Sequence, residues 1–321
     1  MKKFLNRMGL YLILLCFVTV GAYAQSLVPG GQVIGLELGD NTVTIAAFDE
    51  KIGTDAQKAG LQVGDRIVSI NGKAVHTAAD VRYAMERSEG VVEVTIQRNK
   101  KSDTLRITPV VTQDGPKLGV YLKQGVTGIG TVTWYDPETG NFGTLGHGVN
   151  NPRGELLTLI SGNAYKANVV SVRKGAAGNP GQLMGALQDS TPIATLYKNT
   201  SRGVFGNTKT GWEGEALPLA TAKEIHTGKA TIRSTVQGNT VQEYSVEILK
   251  VYPNAGANGR NILLKVTDPA LLEATGGIVQ GMSGSPIIQD GKLIGAVTHV
   301  LVNDPTTGYG IFIENMLDAA A

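Results

Sequence analysis

Short runs of alternating apolar and polar residues, separated by glycine-containing turns, recur along most of this chain and constrain its fold more than any other feature. Asn-Gly at 71–72 and Asp-Gly at 290–291 each separate two such runs, which is the pattern of a β-hairpin. Glycine supplies 42 of the 321 residues, as a protein rich in tight turns requires. The regular spacing over residues 112–321 predicts a mainly β protein built as a sandwich or a pair of barrels.

The charges of the chain are few and nearly balanced. Charged residues make up 17% of the sequence, and 29 Lys and Arg oppose 27 Asp and Glu. Basic residues form no long run, so the composition indicates neither a disordered tail nor a nucleic-acid-binding surface. A chain of 321 residues is long enough for two domains that each bury a core.

The N-terminal segment has the pattern of a secretory signal. Lys2, Lys3 and Arg7 precede an acid-free apolar run at 8–20, which ends in Ala-Tyr-Ala at 22–24. This pattern predicts a signal peptide over residues 1–24, and therefore export across a bacterial cytoplasmic membrane to a secreted, periplasmic or intermembrane location. An uncleaved anchor is the alternative, although the apolar run is short for a span of about 20 residues.

Cleavage after residue 24 would remove Cys16, the one cysteine of the sequence, and would take the formal net charge from +2 to −1. The mature chain would then contain no disulfide. Thiol catalysis and a cysteine-rich zinc site are excluded on the same ground, and we expect neither a metal nor a cofactor.

The segment 25–111 is predicted to form the first domain. Thr77 can cap a helix over residues 78–87. The string Ala-Gly-Leu-Gln-Val-Gly-Asp-Arg-Ile-Val-Ser-Ile-Asn-Gly at 59–72 resembles the most recognisable segment of PDZ domains. That resemblance implies a peptide-binding domain that accepts an extended C-terminal peptide as an added strand.

In the predicted peptide site, the loop at 32–35 holds the carboxylate of the peptide. Gly35 and Leu36 lie in the receiving strand at 35–38, and Val81 lines a side-chain pocket. A PDZ fold that acts only as a rigid spacer is the alternative.

The motif Gly-Met-Ser-Gly-Ser-Pro at 281–286 carries the clearest chemistry of the second domain, residues 112–321. It places Ser283 in a tight glycine turn before an apolar strand. By analogy with the chymotrypsin-like motif Gly-Asp-Ser-Gly-Gly-Pro, the N–H groups of Gly281 and Ser283 would form an oxyanion hole. We expect Ser285 to be structural.

A serine nucleophile needs a general base, and the chain has four histidines. His147 is the best candidate, because it ends a strand between two glycines and precedes the serine in the chain. His299 lies in an apolar strand and is expected to be a structural β residue. We expect His76 and His226 to be solvated.

The residues alone leave the orienting acid open between two aspartates. Asp189 has the spacing closer to that of chymotrypsin. Asp268, in Lys-Val-Thr-Asp-Pro, precedes a short helical stretch that it could cap instead.

Five segments together resemble the stage IV sporulation protein B family of serine peptidases. They are residues 276–288, 295–300 and 302–310, Leu-Gly-His-Gly at 145–148 and Gly-Asn-Pro-Gly at 178–181. The resemblance implies a PDZ domain followed by a chymotrypsin-like double β-barrel with a triad of His147, Asp268 and Ser283.

The same resemblance implies an exported endopeptidase that cleaves itself and a membrane-associated regulatory protein in sporulation signalling. A non-enzymatic PDZ adaptor with a peptidase-like second domain is the alternative function.

Overall fold

A computed structural model describes residues 26–151, 154–254 and 260–321. The predicted signal peptide at 1–24, with Cys16, lies outside the described residues. Within the described ranges, no helix combines the length and the apolar character needed to cross a bilayer.

The described residues are mainly β-strands. The first ten are β1 (Ser26–Pro29), β2 (Val33–Phe48), β3 (Arg66–Ile70), β4 (Lys73–Ala74), β5 (Val92–Arg98), β6 (Lys101–Ile107), β7 (Val110–Thr112), β8 (Gly115–Lys117), β9 (Val120–Tyr135) and β10 (Asn141–Thr144). They are followed by β11 (Ser161–Arg173), β12 (Gln182–Thr200), β13 (Gly203–Thr208), β14 (Leu217–Pro218), β15 (Gly228–Ser234), β16 (Gln242–Val251), β17 (Ile262–Val266), β18 (Pro286–Gln289), β19 (Lys292–Leu301) and β20 (Asp304–Phe312). The helices are α1 (Thr54–Lys58), α2 (Ala78–Glu86), α3 (Pro269–Thr275) and α4 (Ile313–Ala320).

Two barrels form the larger part of the molecule. In the first, the order β9-β10-β13-β12-β11-β2 is closed because β2 also pairs with β9. In the second, β15-β16-β17-β20-β19-β18 form a closed barrel. Each barrel encloses buried apolar side chains, exemplified by Phe142 and Val204 in the first and by Ile232 and Leu264 in the second. The predicted pair of barrels is confirmed.

The PDZ domain is built on the far halves of β2 and β9, to which β3, β5 and β6 are added. Helix α2 covers this sheet and buries Val81 and Met85 in its core. As predicted, Thr77 caps α2, and its hydroxyl accepts a hydrogen bond from the N–H of Asp80. Asn71 and Gly72 both have positive φ values, 49° and 74°, as the turn of the β3-β4 hairpin requires.

The predicted boundaries of the first domain need correction, because β2 and β9 each run through both domains. Residues 34–38 of β2 pair with β9 on one edge and with β11 on the other, inside the first barrel. The bend between the two halves lies at Gly125 of β9, where φ is +74° and an added Cβ would lie 1.8 Å from the carbonyl oxygen of Leu38. The PDZ domain is therefore inserted between the barrel halves of two continuous strands.

Candidate active site

His147 follows a strained turn at the end of β10. Leu145 and Gly146 both adopt left-handed backbone, with φ values of 69° and 67°. Such a conformation is uncommon for a bulky residue like leucine and often occurs at functional sites. An added Cβ at Gly146 would lie 2.8 Å from the Cγ2 atom of Thr298, so the turn packs directly against β19 of the second barrel.

Two buried threonines of the first barrel hold the loop that carries Ser283. The hydroxyl of Thr131 donates to the carbonyl of Gly281 at 2.8 Å, and that of Thr133 donates to the carbonyl of Gly284 at 2.8 Å. The N–H of Thr131 also donates to the carbonyl of Ser283. The serine loop is therefore fastened on both sides of the nucleophile candidate.

The oxyanion hole predicted at Gly281 and Ser283 has free donors. Among the described residues, the N–H groups of Gly281 and Ser283 donate to no acceptor, whereas the neighbouring N–H groups of Met282 and Gly284 are both bonded. Gly281 has a φ of +100°. Two unbonded N–H groups on either side of one residue can stabilise a developing oxyanion.

Ser283 and His147 line the same cleft, which lies between the barrels and has a volume of about 330 Å³. Its other lining residues are Leu36, Leu38, Val126, Gly128, Ile129, Leu145, Gly148, Val149, Asn150, Gln280 and Gly281. The hydroxyl of Ser283 donates to the carbonyl of Thr298 at 3.0 Å. The structure thus brings together the predicted nucleophile, the predicted base and both predicted oxyanion donors.

The protonation state of His147 suits a general base. Its Nδ1 lies 2.9 Å from the carbonyl oxygen of Gly148. Because a carbonyl can only accept, the proton of the neutral ring is on Nδ1, and Nε2 keeps its lone pair. Burial lowers the pKa of His147 below its ordinary value, and the bond to Gly148 partly opposes this shift.

Comparisons with known proteins identify the two domains. The family model of SpoIVB peptidase S55 matches residues 114–317. The chain belongs to this family. A PDZ domain model matches residues 52–98. The protein is therefore a PDZ-containing serine peptidase, and its partners are peptides or proteins. The comparison with curated proteins gave no significant match.

Solved structures show distant similarity to this S55 peptidase. The active form of Rv3671c protease from M. tuberculosis is 15% identical, with 60% of this chain and 73% of that chain covered and a TM-score of 0.38. Its inactive form gives 15% identity, 60% and 82% coverage and a TM-score of 0.35. The PDZ domain of the SdrC-like protein from Listeria monocytogenes is 17% identical over 26% of this chain and 87% of that chain, with a TM-score of 0.22.

The structure joins neither of the two aspartates predicted as the orienting acid to His147. One carboxylate oxygen of Asp268 accepts from the N–H groups of Ala270 and Leu271 at the start of α3, and the other accepts from that of Ser245. Asp268 is thus a helix cap, and no described hydrogen bond joins it to His147. Asp189 is exposed on β12 and accepts from the N–H of Thr191. Neither aspartate lines the cleft.

The other polar candidates, including His299 on β19, lie where their sequence contexts indicated. His76 is exposed, and exposed His226 pairs with Asp290 at 2.9 Å. Ser285 is buried and its hydroxyl donates to Ser234. The sequence did not indicate that the ring of His299 lies beside that of His147, with 5.5 Å between the two centroids.

The PDZ groove lies elsewhere than predicted. It is a space of about 660 Å³ between α2 and residues 117–122, where β9 begins, and Val81 lines it as predicted. Gly35 and Leu36 are paired on both edges in the first barrel, so they cannot receive a peptide strand. The described pairings of residues 120–122 involve only β2, which leaves their other edge open toward α2.

The loop that precedes this open edge can hold a carboxylate. Among the described residues, the N–H groups of Leu118 and Gly119 donate to no acceptor, and Gly119 has a φ of +71°. This loop has the sequence Lys-Leu-Gly-Val at 117–120. It follows α2 in the chain, whereas the carboxylate loop predicted at 32–35 precedes α2.

Proposed function

We propose that this chain is an exported, PDZ-regulated serine endopeptidase that processes itself and cleaves a membrane-associated regulatory protein in sporulation signalling. Membership of the SpoIVB peptidase S55 family supports the biological setting. The N-terminal pattern of the sequence supports export. The single observation that carries the chemistry is the cleft that Ser283, His147 and the free N–H group of Gly281 share.

The geometry supports an acyl-enzyme mechanism. The hydroxyl of Ser283 first leaves the carbonyl of Thr298 and donates instead to Nε2 of His147. Its Oγ then attacks the substrate carbonyl, and Nε2 of His147 takes the proton. The oxyanion then lies against the N–H groups of Gly281 and Ser283. His147 returns the proton to the leaving amine, and water hydrolyses the acyl-enzyme by the same route.

The cleft favours a substrate with an apolar side chain beside the scissile bond. Leu36, Leu38, Val126, Ile129 and Val149 line it, and no described Asp, Glu, Lys or Arg does. A charged side chain placed there would lose water without gaining a partner. We therefore expect cleavage next to aliphatic residues, as in a segment that leaves a membrane.

Strand β9 supports regulation by the PDZ domain. Its first residues, 120–122, form the open edge of the peptide groove, and residues 126–129 reach the catalytic cleft. Thr131 and Thr133 of the same strand hold the serine loop. A peptide bound in the groove therefore pairs with the same strand that holds the serine loop. The two contacts lie roughly 30 Å apart along β9.

One observation favours the non-enzymatic adaptor. The hydroxyl of Ser283 is bonded to the backbone of Thr298, and no described carboxylate touches His147. An adaptor would leave this arrangement unchanged when peptide binds, whereas a peptidase must break the bond between Ser283 and Thr298.

The two functions are separated by the Ser283→Ala variant. We expect cleavage of an apolar-rich quenched peptide and self-processing to fall by at least about 10⁴-fold, since the acyl-enzyme needs this oxygen. Ser285→Ala is the matched control, because it removes a buried hydroxyl two residues away and should keep activity. Equal turnover by wild type and Ser283→Ala, with circular dichroism showing both folded, would contradict the peptidase mechanism.

A further inference from the structure

One edge of β19 is open beside the nucleophile. Strand β18 pairs with β19 only as far as Ala296, whereas β20 pairs with the other edge as far as Leu301. The hydroxyl of Ser283 donates to the carbonyl of Thr298, where the unpaired stretch begins. In the described pairings, residues 298–301 therefore offer a strand edge that starts at Ser283 and leads away from it.

A substrate that pairs with this edge has a defined direction. An extended peptide adds to an open strand edge through the hydrogen bonds of its backbone. An antiparallel peptide runs toward Ser283, because β19 runs away from Ser283 over residues 298–301. The substrate residues beside 299–301 then precede the scissile bond by about two to four positions.

A row of side chains connects this edge to a cation. His299 and Tyr309 lie directly opposite each other on β19 and β20, so their side chains share one face of the sheet. The guanidinium carbon of Arg260, which precedes β17, lies 5.3 Å from the centre of the Tyr309 ring. At the other end of the row, the ring of His299 lies 5.5 Å from that of His147. Burial, and then the charges of His147 and Arg260, lower the pKa of His299 to about 4, so the charge of Arg260 acts at this edge.

Arg260 is exposed and has no acidic partner in the chain. Among the described residues, no carboxylate forms an ion pair with it. The remaining segments, 1–25, 152–153 and 255–259, contain no Asp or Glu. An arginine presents its donors in a planar fork that matches the two oxygens of a carboxylate. The guanidinium is therefore available to an acid that arrives with the substrate.

We propose that Arg260 is a specificity-determining residue of this peptidase, and that it binds the carboxylate of an Asp or Glu about two to four residues before the scissile bond. The preferred substrate segment then combines this acid with an aliphatic side chain at the bond that is cleaved. Arg260 selects the acid because charge-assisted hydrogen bonds to a carboxylate are stronger than hydrogen bonds to an amide. The proposal rests on the peptidase function argued above.

The test uses the full chain and quenched peptides with an amidated C-terminus, so that the carboxylate loop of the PDZ groove takes no part. The peptides carry leucine at the scissile bond and either Glu or Gln two, three or four residues before it. We expect kcat/KM to be about fivefold higher for Glu than for Gln at one of these positions. Arg260→Gln should lose this preference, and Arg260→Glu should prefer Lys over Gln at the same position.

Arg87→Gln is the matched control, because it removes a guanidinium whose carbon lies 5.0 Å from the centre of the Tyr83 ring in the PDZ domain. This variant should keep the wild-type preference for Glu. Equal rates on the Glu and Gln peptides in wild type would overturn the proposal. A preference for Glu that persists in Arg260→Gln would overturn it as well.

Peptide binding decides the role of Arg260 independently of turnover. The Ser283→Ala variant keeps the strand edge but forms no acyl-enzyme. We expect fluorescence anisotropy to show about fivefold tighter binding of the Glu peptide to this variant, and equal binding of both peptides once Arg260→Gln is added. If wild type cleaves nothing, the peptidase function fails, and equal affinities of Ser283→Ala for the two peptides would then overturn the role of Arg260.

Discussion

The two grooves along β9 are built in opposite ways. In the catalytic cleft the carbonyls on both sides of Ser283 are already bonded, because they accept from Thr131 and Thr133, and the free groups are the oxyanion donors of Gly281 and Ser283. In the PDZ groove, the described pairings leave one edge of residues 120–122 open. In the catalytic cleft the reacting groups are held in position before the substrate arrives. In the PDZ groove the open strand edge is paired only when the backbone of a bound peptide supplies the missing hydrogen bonds.

The pH dependence of cleavage probes the cleft with the largest expected effect. His147 must be neutral to accept a proton, and burial lowers its pKa below the ordinary 6.5. We expect kcat/KM to be constant above that lowered pKa and to fall about tenfold per pH unit below it. The acid midpoint of the kcat/KM profile should lie below pH 6.5. A midpoint at or above 6.5 would mean that His147 is solvated or is not the base.

The same comparison predicts a defect confined to the PDZ groove. In Gly119→Val, the added Cβ would lie 2.2 Å from the carbonyl of Ile52, at a residue whose φ is +71°. We expect affinity for C-terminal peptides, measured by fluorescence anisotropy, to fall at least about tenfold, while cleavage of short peptides is kept. Gly90→Ala has a similar φ of +76° and open space around it, so it serves as a control for backbone strain. Equal loss in both variants would argue against a carboxylate loop at Gly119.

A smaller and selective effect is expected in the cleft at Gly128. An added Cβ there meets no atom within 4 Å, so Gly128→Leu should fill the cleft without distorting β9. We expect kcat/KM for peptides with leucine at the scissile bond to fall about tenfold and that for alanine peptides to change little. Val170→Leu, at an exposed residue of β11, is the control. Parallel loss on both peptides would show that the cleft does not select the side chain.

The smallest effect is expected at Asp268. Asparagine caps helices as well as aspartate does, so Asp268→Asn should change kcat by less than about twofold and stability by under about 0.5 kcal/mol. Asp268→Ala should lower the free energy of unfolding by about 1 kcal/mol, measured by urea titration, with kcat again kept. A loss near 10⁴-fold in Asp268→Asn would instead restore the triad that the family resemblance implied.

Local patterns in the sequence predicted the elements well. Alternation and turn residues located the hairpins at Asn71 and Asp290, and Thr77 marked the start of α2. The glycine context of Ser283 and His147 identified the two residues that share the cleft. Each of these inferences depends on neighbours within a few positions of the chain.

Long-range pairing could not be read in the same way. Nothing local shows that β2 and β9 each run through two domains, and so the carboxylate loop was expected before Gly35 instead of at Gly119. Contacts between the two barrels place His299 beside His147. They also form the hydrogen bond from Thr131 to the serine loop. For Asp268, the helix signal in its own neighbourhood predicted the cap that the structure shows, whereas the triad role implied by the family resemblance stays a prediction.

Covalent labelling of the nucleophile tests the central claim most directly. A fluorophosphonate probe reacts with a serine activated by a general base, and peptide mass spectrometry locates the adduct. We predict one adduct on wild-type protein, at Ser283, slowed in His147→Ala and absent from Ser283→Ala. A folded wild-type chain that takes no label, or an adduct elsewhere that persists in Ser283→Ala, would contradict the assignment of this cleft as the active site.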